Sequence, residues 1–195
     1  VIIKNVSSRF RLPNNLFQTT HKTTMIAIVD YNAGNLTSVK LALDYLGASS
    51  EITRNPARIL AAERVIFPGV GSAGAAMQNI RSLAMAEVLR KVVQQGTPFL
   101  GICLGTQIIF EASEEDNGVE CLGILAGTVK RFQPANPAEK VPQIGWNSVV
   151  FTKPHPLFTG IESGSEFYFV HSYYPAPTDR AGVLGETEYA NIRFA

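Results

Sequence analysis

Residues 98–107 read Pro-Phe-Leu-Gly-Ile-Cys-Leu-Gly-Thr-Gln, a short apolar run followed by the pattern Gly-x-Cys-x-Gly. This is the cysteine form of Gly-x-Ser-x-Gly, in which a nucleophile lies on a sharp turn between a strand and a helix. Such a turn strains the backbone of the nucleophile, so its neighbours two positions away must lack bulk, as Gly101 and Gly105 do. The turn also brings the sulfur of Cys103 to a helix N-terminus, where the thiolate is favoured. The pattern therefore predicts an activated cysteine.

A buried structural cysteine is the alternative interpretation of Cys103, because free cysteine is among the most buried residue types. The apolar residues on both sides supply the strand–turn–helix context that the motif requires, and they favour the nucleophile. The second cysteine, Cys121, lies in Gly-Val-Glu-Cys-Leu-Gly without such a turn. We expect Cys121 to pack in the core.

The composition is that of a soluble globular protein of one domain, with 195 residues, 46% apolar and 17% charged. The net charge of +1 gives no general attraction to nucleic acid or to a membrane surface, and no apolar run is long enough to span a bilayer. Two cysteines do not make a disulfide framework, which favours a reducing compartment, the cytoplasm. We expect no metal and no cofactor.

The first 24 residues differ from the rest, with four basic residues and no acidic one. Their Arg, Ser and Thr content has some likeness to an organelle transit peptide. The alternative is a disordered tail, or non-native sequence upstream of a true start at Met25, and the initial valine favours this alternative. The domain then comprises residues 25–195.

Apolar runs and helical spacings alternate over the first half of the chain. Strands are expected at 25–31, 50–53, 64–67 and 98–103. Helices are expected at 35–47 and at 105–113, and a helix of about twenty residues is expected to end at Gly96, with a break near 81–82. This alternation predicts a doubly wound α/β fold with a mostly parallel sheet. The loops 32–35, 68–71 and 101–105 then share the sheet edge where ligands bind.

The second half carries short strand-like runs at 122–132, 147–152, 166–173 and 181–187. We expect these to be antiparallel additions to the sheet, with an exposed connection at 133–140.

The loop Pro-Gly-Val-Gly at 68–71 is a candidate for stabilising negative charge, because its glycines let backbone amides approach a ligand. Glycine is also common in ordinary β–α turns, and taken alone the two interpretations are evenly matched. The predicted position of Cys103 at the same edge favours the functional one.

Four motifs together resemble the class I glutamine amidotransferases: residues 68–71, the motif Gly-Ile-Cys-Leu-Gly-Thr-Gln at 101–107, Pro-Gln-Ile-Gly-Trp-Asn at 142–147 and Tyr-Phe-Val-His-Ser-Tyr-Tyr at 168–174. The last two motifs, with Asp-Tyr-Asn-Ala-Gly-Asn at 30–35, are similar to those of the glutaminase subunits of imidazole glycerol phosphate synthase. The resemblance covers residues 25–195.

This resemblance implies that Cys103 attacks glutamine, releasing ammonia and forming a glutamyl thioester that water hydrolyses. The amides of Val70 and Leu104 would form the oxyanion hole. The substrate would be held by Gly69, Gly71, Gln107, His171, Ser172 and Tyr173. A (β/α)₈ barrel cyclase subunit would receive the ammonia, in a heterodimer, for histidine biosynthesis.

Trp146, Asn32 and Asn35 would face that barrel, although an ordinary core position remains open for the tryptophan. Another glutaminase subunit, such as that of anthranilate synthase, is the alternative within the class, and Gly-Trp-Asn at 145–147 argues against it.

The sequence departs from the family at its end, because the His-Pro-Glu motif that supplies the base and its orienter does not occur before Ala195. His21, His155 and His171 do not replace that base. The chain is then expected to be a fragment of a competent enzyme or an inactive remnant, and the pattern that stops at a strand favours the fragment. A module that only docks on the synthase is the non-enzymatic alternative.

Overall fold

The structure is a computed structural model that describes residues 25–32 and 34–195. The expectations for residues 1–24 lie outside the described residues. Within the described part, no helix is both long enough and apolar enough to cross a membrane.

A four-stranded parallel sheet forms the centre of the fold. Its strands are β1 (Ile26–Val29), β2 (Ser50–Thr53), β3 (Arg64–Gly69) and β4 (Phe99–Cys103), in the order β2-β1-β3-β4. All four residues of β1 are buried, as expected for a strand covered on both faces. The strand order reverses between β1 and β3, which makes the ends of these two strands the topological switch point where α/β folds bind ligands.

Helices connect these strands: α1 (Leu36–Tyr45), α2 (Pro56–Ala61), α3 (Ala73–Ser82), α4 (Met85–Gln94) and α5 (Leu104–Gln107). The expected long helix is divided into α3 and α4 at Ala84, whose φ of 51° is left-handed. Helix α2 was not expected, although Asn55 signals its start with a side chain that accepts hydrogen bonds from the Ala57 and Arg58 amides.

The helix expected at 105–113 is wrong beyond residue 107. The carbonyls of Ile108, Ile109 and Phe110 accept hydrogen bonds from the amides of the loop 122–125. These tertiary bonds replace the i→i+4 bonds that would continue α5. The same bonds hold 122–125 as a loop, so the strand expected at 122–132 is formed only at 127–131.

Three further sheets contain the remaining strands. Strands β5 (Ala112–Ser113), β6 (Val119–Glu120), β7 (Gly127–Arg131) and β11 (Tyr173–Pro177) form one sheet in the order β11-β7-β5-β6. Strand β8 (Gln143–Ser148) pairs with β10 (Glu166–His171), and β9 (Val150–Phe151), β12 (Gly185–Tyr189) and β13 (Ile192–Phe194) form the third. The predicted α/β class with a parallel central sheet is confirmed. The antiparallel strands form separate sheets, however, and do not extend the central one.

The main core lies between the central sheet and the helices that pack on it. Its largest fully buried side chains include Phe67, Ile80, Leu89 and Phe110. These four side chains all lie in segments where the apolar pattern predicts a strand or a helix.

Candidate active site

Cys103 is the last residue of β4 and directly precedes α5, with φ 54° and ψ −121°. This backbone conformation is strained for a residue with a side chain. The turn is tight enough to require both flanking glycines. A Cβ at Gly101 would lie 2.9 Å from the Cα of Thr106, and one at Gly105 would lie 1.9 Å from the carbonyl oxygen of Phe67. Cys103 is exposed, so the interpretation as a buried structural cysteine is wrong.

Cys121 is buried, as predicted, and its Sγ lies 3.5 Å from the carbonyl oxygen of Val119. Burial raises the pKa of its thiol to about 11. A thiol with that pKa is almost entirely protonated at neutral pH, which makes it a poor nucleophile.

The loop of residues 69–71, which we call the oxyanion loop after its expected role, lies directly beside the cysteine. In the parallel register of β3 and β4, Gly69 is opposite Cys103. A Cβ at Gly69 would be 2.6 Å from the amide nitrogen of Gly105, so the two turns are in close contact. Val70 is half-exposed, and Gly71 has a left-handed φ of 90°. Leu104 is the first residue of α5, where backbone N–H groups have no partner within a helix.

The loop that follows β1 reaches the same place. A Cβ at Gly34 would lie 3.0 Å from a methyl group of Val70. Asn32 and Asn35 both have left-handed φ, of 63° and 65°. The side chain of Asn35 makes no capping bond, although Asn35 directly precedes α1.

Arg54 and Asp30 fix the start of this loop; the sequence motif at 30–35 contains Asp30 but does not predict its partner Arg54. Asp30 accepts hydrogen bonds from the amide of Asn32 at 3.0 Å and from Nε of Arg54 at 3.1 Å, and Arg54 also donates to Oδ1 of Asn32 at 3.1 Å. Burial raises the pKa of Asp30, but the bonds from Arg54 and Asn32 outweigh burial, and the net pKa is lowered.

Residues 171–173 are linked to the elbow, which is the turn at residues 101–105 that carries Cys103. The link is Gln107, whose Nε2 donates to the carbonyl oxygen of Tyr173 at 3.0 Å. That oxygen also lies 2.9 Å from Nδ1 of His171. The carbonyl of Ser172 accepts from the Phe132 amide at 3.0 Å.

A chain of hydrogen bonds continues from His171. Its Nε2 lies 2.9 Å from Oε1 of Gln143, whose Nε2 donates to Oδ1 of Asn147 at 2.8 Å. Asn147 in turn donates to the carbonyl oxygen of Glu188 at 2.7 Å. Burial lowers the pKa of His171, against the opposing effect of the bond to Tyr173. The sequence motif at 142–147 contains Gln143 and Asn147 but does not predict these hydrogen bonds.

Trp146 lies away from the elbow, on the two-stranded β8–β10 sheet. It is 64% exposed, so the interpretation as a core residue is wrong. Its ring meets that of Tyr168 at a centroid distance of 5.4 Å, in the register that pairs the two residues. The neighbouring pair, Ile144 and Val170, is also exposed. We call these four side chains the apolar patch, and such a patch is typical of an interaction surface.

The structure thus brings together the nucleophile candidate, the oxyanion loop and residues 32, 34 and 35 at the switch point, and it links residues 171–173 to them through Gln107. The apolar patch belongs to a different sheet. In residues 25–32 and 34–195, no group of three or more His, Cys, Asp or Glu side chains could hold a metal ion.

Comparison with known proteins agrees with this geometry. Residues 27–192 match the family described as glutamine amidotransferase class-I. The chain belongs to the class-I glutamine amidotransferases. Within that class it is similar to the HisH subunit of imidazole glycerol phosphate synthase from two bacteria. It is 50% identical to the Moorella thermoacetica protein over 170 residues, which is 87% of this chain and 79% of the relative. It is 48% identical to the Herpetosiphon aurantiacus protein over 165 residues, which is 85% of this chain and 77% of the relative.

A crystal structure of a glutamine amidotransferase superposes with a TM-score of 0.60 and 15% sequence identity, covering 86% of each chain. At that identity the likeness supports the fold alone, and it agrees with the class that the sequence match defines.

Proposed function

We propose that this chain is the glutaminase subunit of an imidazole glycerol phosphate synthase, which produces ammonia from glutamine for histidine biosynthesis. The observation that carries the proposal is the exposed Cys103 on a strained turn, opposite Gly69 at the switch point of the sheet. The similarity to HisH subunits narrows the class to this member.

In the proposed reaction, the Cys103 thiolate attacks the side-chain carbonyl carbon of glutamine. A carbon–sulfur bond forms, and the carbonyl oxygen becomes an oxyanion that the amides of Val70 and Leu104 stabilise. The oxyanion collapses, the carbon–nitrogen bond breaks, and the nitrogen leaves with a proton as ammonia. Water then hydrolyses the thioester to glutamate and restores the thiol.

The substrate is held, in this proposal, by Gly69 and Gly71 on one side and by residues 171–173 on the other. The side-chain Nε2 of Gln107 donates to the carbonyl of Tyr173, so the side-chain Oε1 of Gln107 is left to accept from the ammonium group of the substrate. Residues 171–173 and the side chain of Gln107 are then parts of one binding surface.

The proton for the departing nitrogen needs a donor, and neither described histidine is suited to that role. His171 has both ring nitrogens engaged, with Gln143 and with the carbonyl of Tyr173. Nδ1 of His155 accepts from the amide of Leu157. We therefore assign the base and its orienter to the family's His-Pro-Glu motif, which this sequence does not contain.

The proposed partner is a (β/α)₈ barrel cyclase, bound as a heterodimer in the cytoplasm, and the complex acts as a lyase. The apolar patch around Trp146 and the asparagines of the loop 32–35 would form the docking surface. Exposed aromatic side chains of this kind are enriched where interfaces hold their binding energy.

Glutamate formation from glutamine tests the proposal, measured with the cyclase subunit present and absent. We expect partner-stimulated glutamate production from an extended chain to which the family's His-Pro-Glu motif has been supplied, and little or none from the 195 residues alone. Cys103→Ser should abolish production in the extended chain, and Cys121→Ser should preserve it. Binding to the cyclase without any glutamate production from the extended chain would favour the non-enzymatic docking module.

A further inference from the structure

The hydroxyl of Tyr31 is an unusual buried group. Tyr31 is 1% exposed, and its hydroxyl has no hydrogen-bond partner among the described residues. Buried tyrosine hydroxyls are usually hydrogen-bonded, because leaving such a donor unpaired costs free energy. An exception beside a candidate active site therefore needs a physical reason.

The position of the hydroxyl suggests that reason. A Cβ at Gly69 would lie 2.6 Å from Oη of Tyr31, which places the hydroxyl against the first residue of the oxyanion loop. The Tyr31 ring is held by Phe67, with ring centroids 5.0 Å apart. Burial, and after it the charge of Cys103, raise the pKa of the phenol, which stays protonated and able to donate.

The peptide between Gly69 and Val70 can supply the missing acceptor. The N–H and C=O of one peptide unit point in opposite directions. When the Val70 N–H turns toward a ligand at Cys103, the carbonyl of Gly69 turns away from the crevice, toward the interior where Tyr31 lies. Gly69 has no side chain that the rotation must displace, Val70 is half-exposed, and a Cβ at Gly71 would meet nothing within 4 Å.

We propose that Tyr31 is a positioning residue for the oxyanion loop, donating a hydrogen bond to the Gly69 carbonyl when the Val70 N–H faces the oxyanion. The unpaired hydroxyl raises the free energy of the resting arrangement, and its hydrogen bond to the Gly69 carbonyl lowers the free energy of the arrangement competent for acyl transfer. This inference rests on the proposed function, since it requires an oxyanion to form at Cys103.

Two reactions of Cys103 separate this role from a structural one. A p-nitrophenyl ester of the glutamate side chain acylates the sulfur through an oxyanion, and its phenolate leaves without needing a proton. Iodoacetamide alkylates the same sulfur by displacing iodide, and no oxyanion forms. The burst of p-nitrophenolate measures the first reaction, and the mass of the intact protein measures the second.

For Tyr31→Phe we expect acylation to slow by about three- to tenfold, the value of one hydrogen bond, with the alkylation rate unchanged. The melting temperature should equal or exceed that of the original chain, because the deleted hydroxyl has no partner at rest. Tyr31→Leu, a second variant without a hydroxyl, should show the same separation of rates. Tyr189→Phe is the matched control, because its hydroxyl donates to the carbonyl of Lys140 on another loop, and it should change neither rate.

Three results would overturn the inference: acylation unchanged in Tyr31→Phe, both reactions slowed by one factor, or a lower melting temperature for that variant. The proposed function fails separately, and the inference with it, if the original chain reacts with iodoacetamide but never with the ester.

Discussion

Nε2 of His171 lies 2.9 Å from Oε1 of Gln143, in the middle of a hydrogen-bond chain that ends on a backbone carbonyl at each side. One end is the oxygen of Tyr173 and the other is the oxygen of Glu188. Carbonyl oxygens only accept, so every proton of the chain must come from the three side chains between them. Both ring nitrogens of His171 face an oxygen, so only the doubly protonated imidazolium can donate to both. A neutral ring leaves one of these two hydrogen bonds without a proton. Burial nevertheless lowers the pKa of this histidine.

This conflict predicts that acid weakens the fold. The pKa of His171 is lower in the folded chain than its ordinary value of 6.5, so the unfolded chain takes up the proton first. The contribution of neutral His171 to the free energy of unfolding is therefore complete above pH 6.5, and it is lost as the pH falls through the pKa of His171 in the folded chain. Urea unfolding between pH 7.5 and pH 5 should show a falling free energy, with a smaller slope for His171→Gln than for His155→Gln. Equal slopes in the two variants would assign the effect to another group.

Replacing Gln143 with methionine should destabilise the chain by about 1–3 kcal/mol, because it leaves Nε2 of His171 and Oδ1 of Asn147 without their partner. The same change should lower the pKa of His171 further, since the acceptor that stabilises its charged form is gone. Denaturant unfolding and an NMR titration of the imidazole measure the two effects. Gln133→Met, on an exposed loop, is the control and should change neither quantity.

The two cysteines should differ strongly in reactivity. Cys103 is exposed on its turn, whereas Cys121 is buried with a pKa raised to about 11, so iodoacetamide at pH 8 should label Cys103 at least about tenfold faster. Peptide mapping of the folded protein measures both rates. Cys103→Ser should remove the fast phase, and equal labelling of the two sulfurs would contradict the assigned difference.

Trp146 is the only tryptophan of the chain, so its fluorescence reports on the apolar patch directly. We expect a shift of its emission to shorter wavelength when the cyclase subunit covers it. Trp146→Ala should weaken binding by about 2 kcal/mol or more, roughly thirtyfold in Kd, without changing the melting temperature.

Leu41→Ala is the matched control for Trp146, since Leu41 is 62% exposed on α1 and outside the patch. The Leu41→Ala variant should bind the cyclase with the same affinity as the unaltered chain. Equal losses of affinity in the two variants would mean that the docking surface extends well beyond the patch, or lies elsewhere.

The central sheet could be predicted because its strands are continuous apolar runs between turn residues. Strand β1, for example, is the apolar run Ile26–Val29, and it lies within the strand predicted at 25–31. The end of α5 could not be predicted, because Ile108, Ile109 and Phe110 are as apolar as a buried helix. Their carbonyls are taken by a loop more than ten residues further along the chain. The start of α2 was readable from the Asn-Pro pair at 55–56 and was missed.

The elbow of the candidate site was predictable, because one local motif contains both the cysteine and the glycines that its turn requires. The groups around it were not. Arg54 meets Asp30 across 24 positions of sequence, and Gln143 meets His171 across 28. No local pattern records such pairs, and they become visible only when the strands are placed side by side.

The carbonyl oxygen of Phe67 forbids any side chain at Gly105, since a Cβ there would lie 1.9 Å away. That oxygen belongs to β3, an interior strand of the central sheet, so the strand cannot shift to make room for a side chain at Gly105. A library that samples all twenty amino acids should therefore yield folded clones that tolerate serine or alanine at 103, yet none that departs from glycine two positions later. In descendants of this protein that have lost catalytic activity, Gly105 should therefore persist even where Cys103 has been replaced.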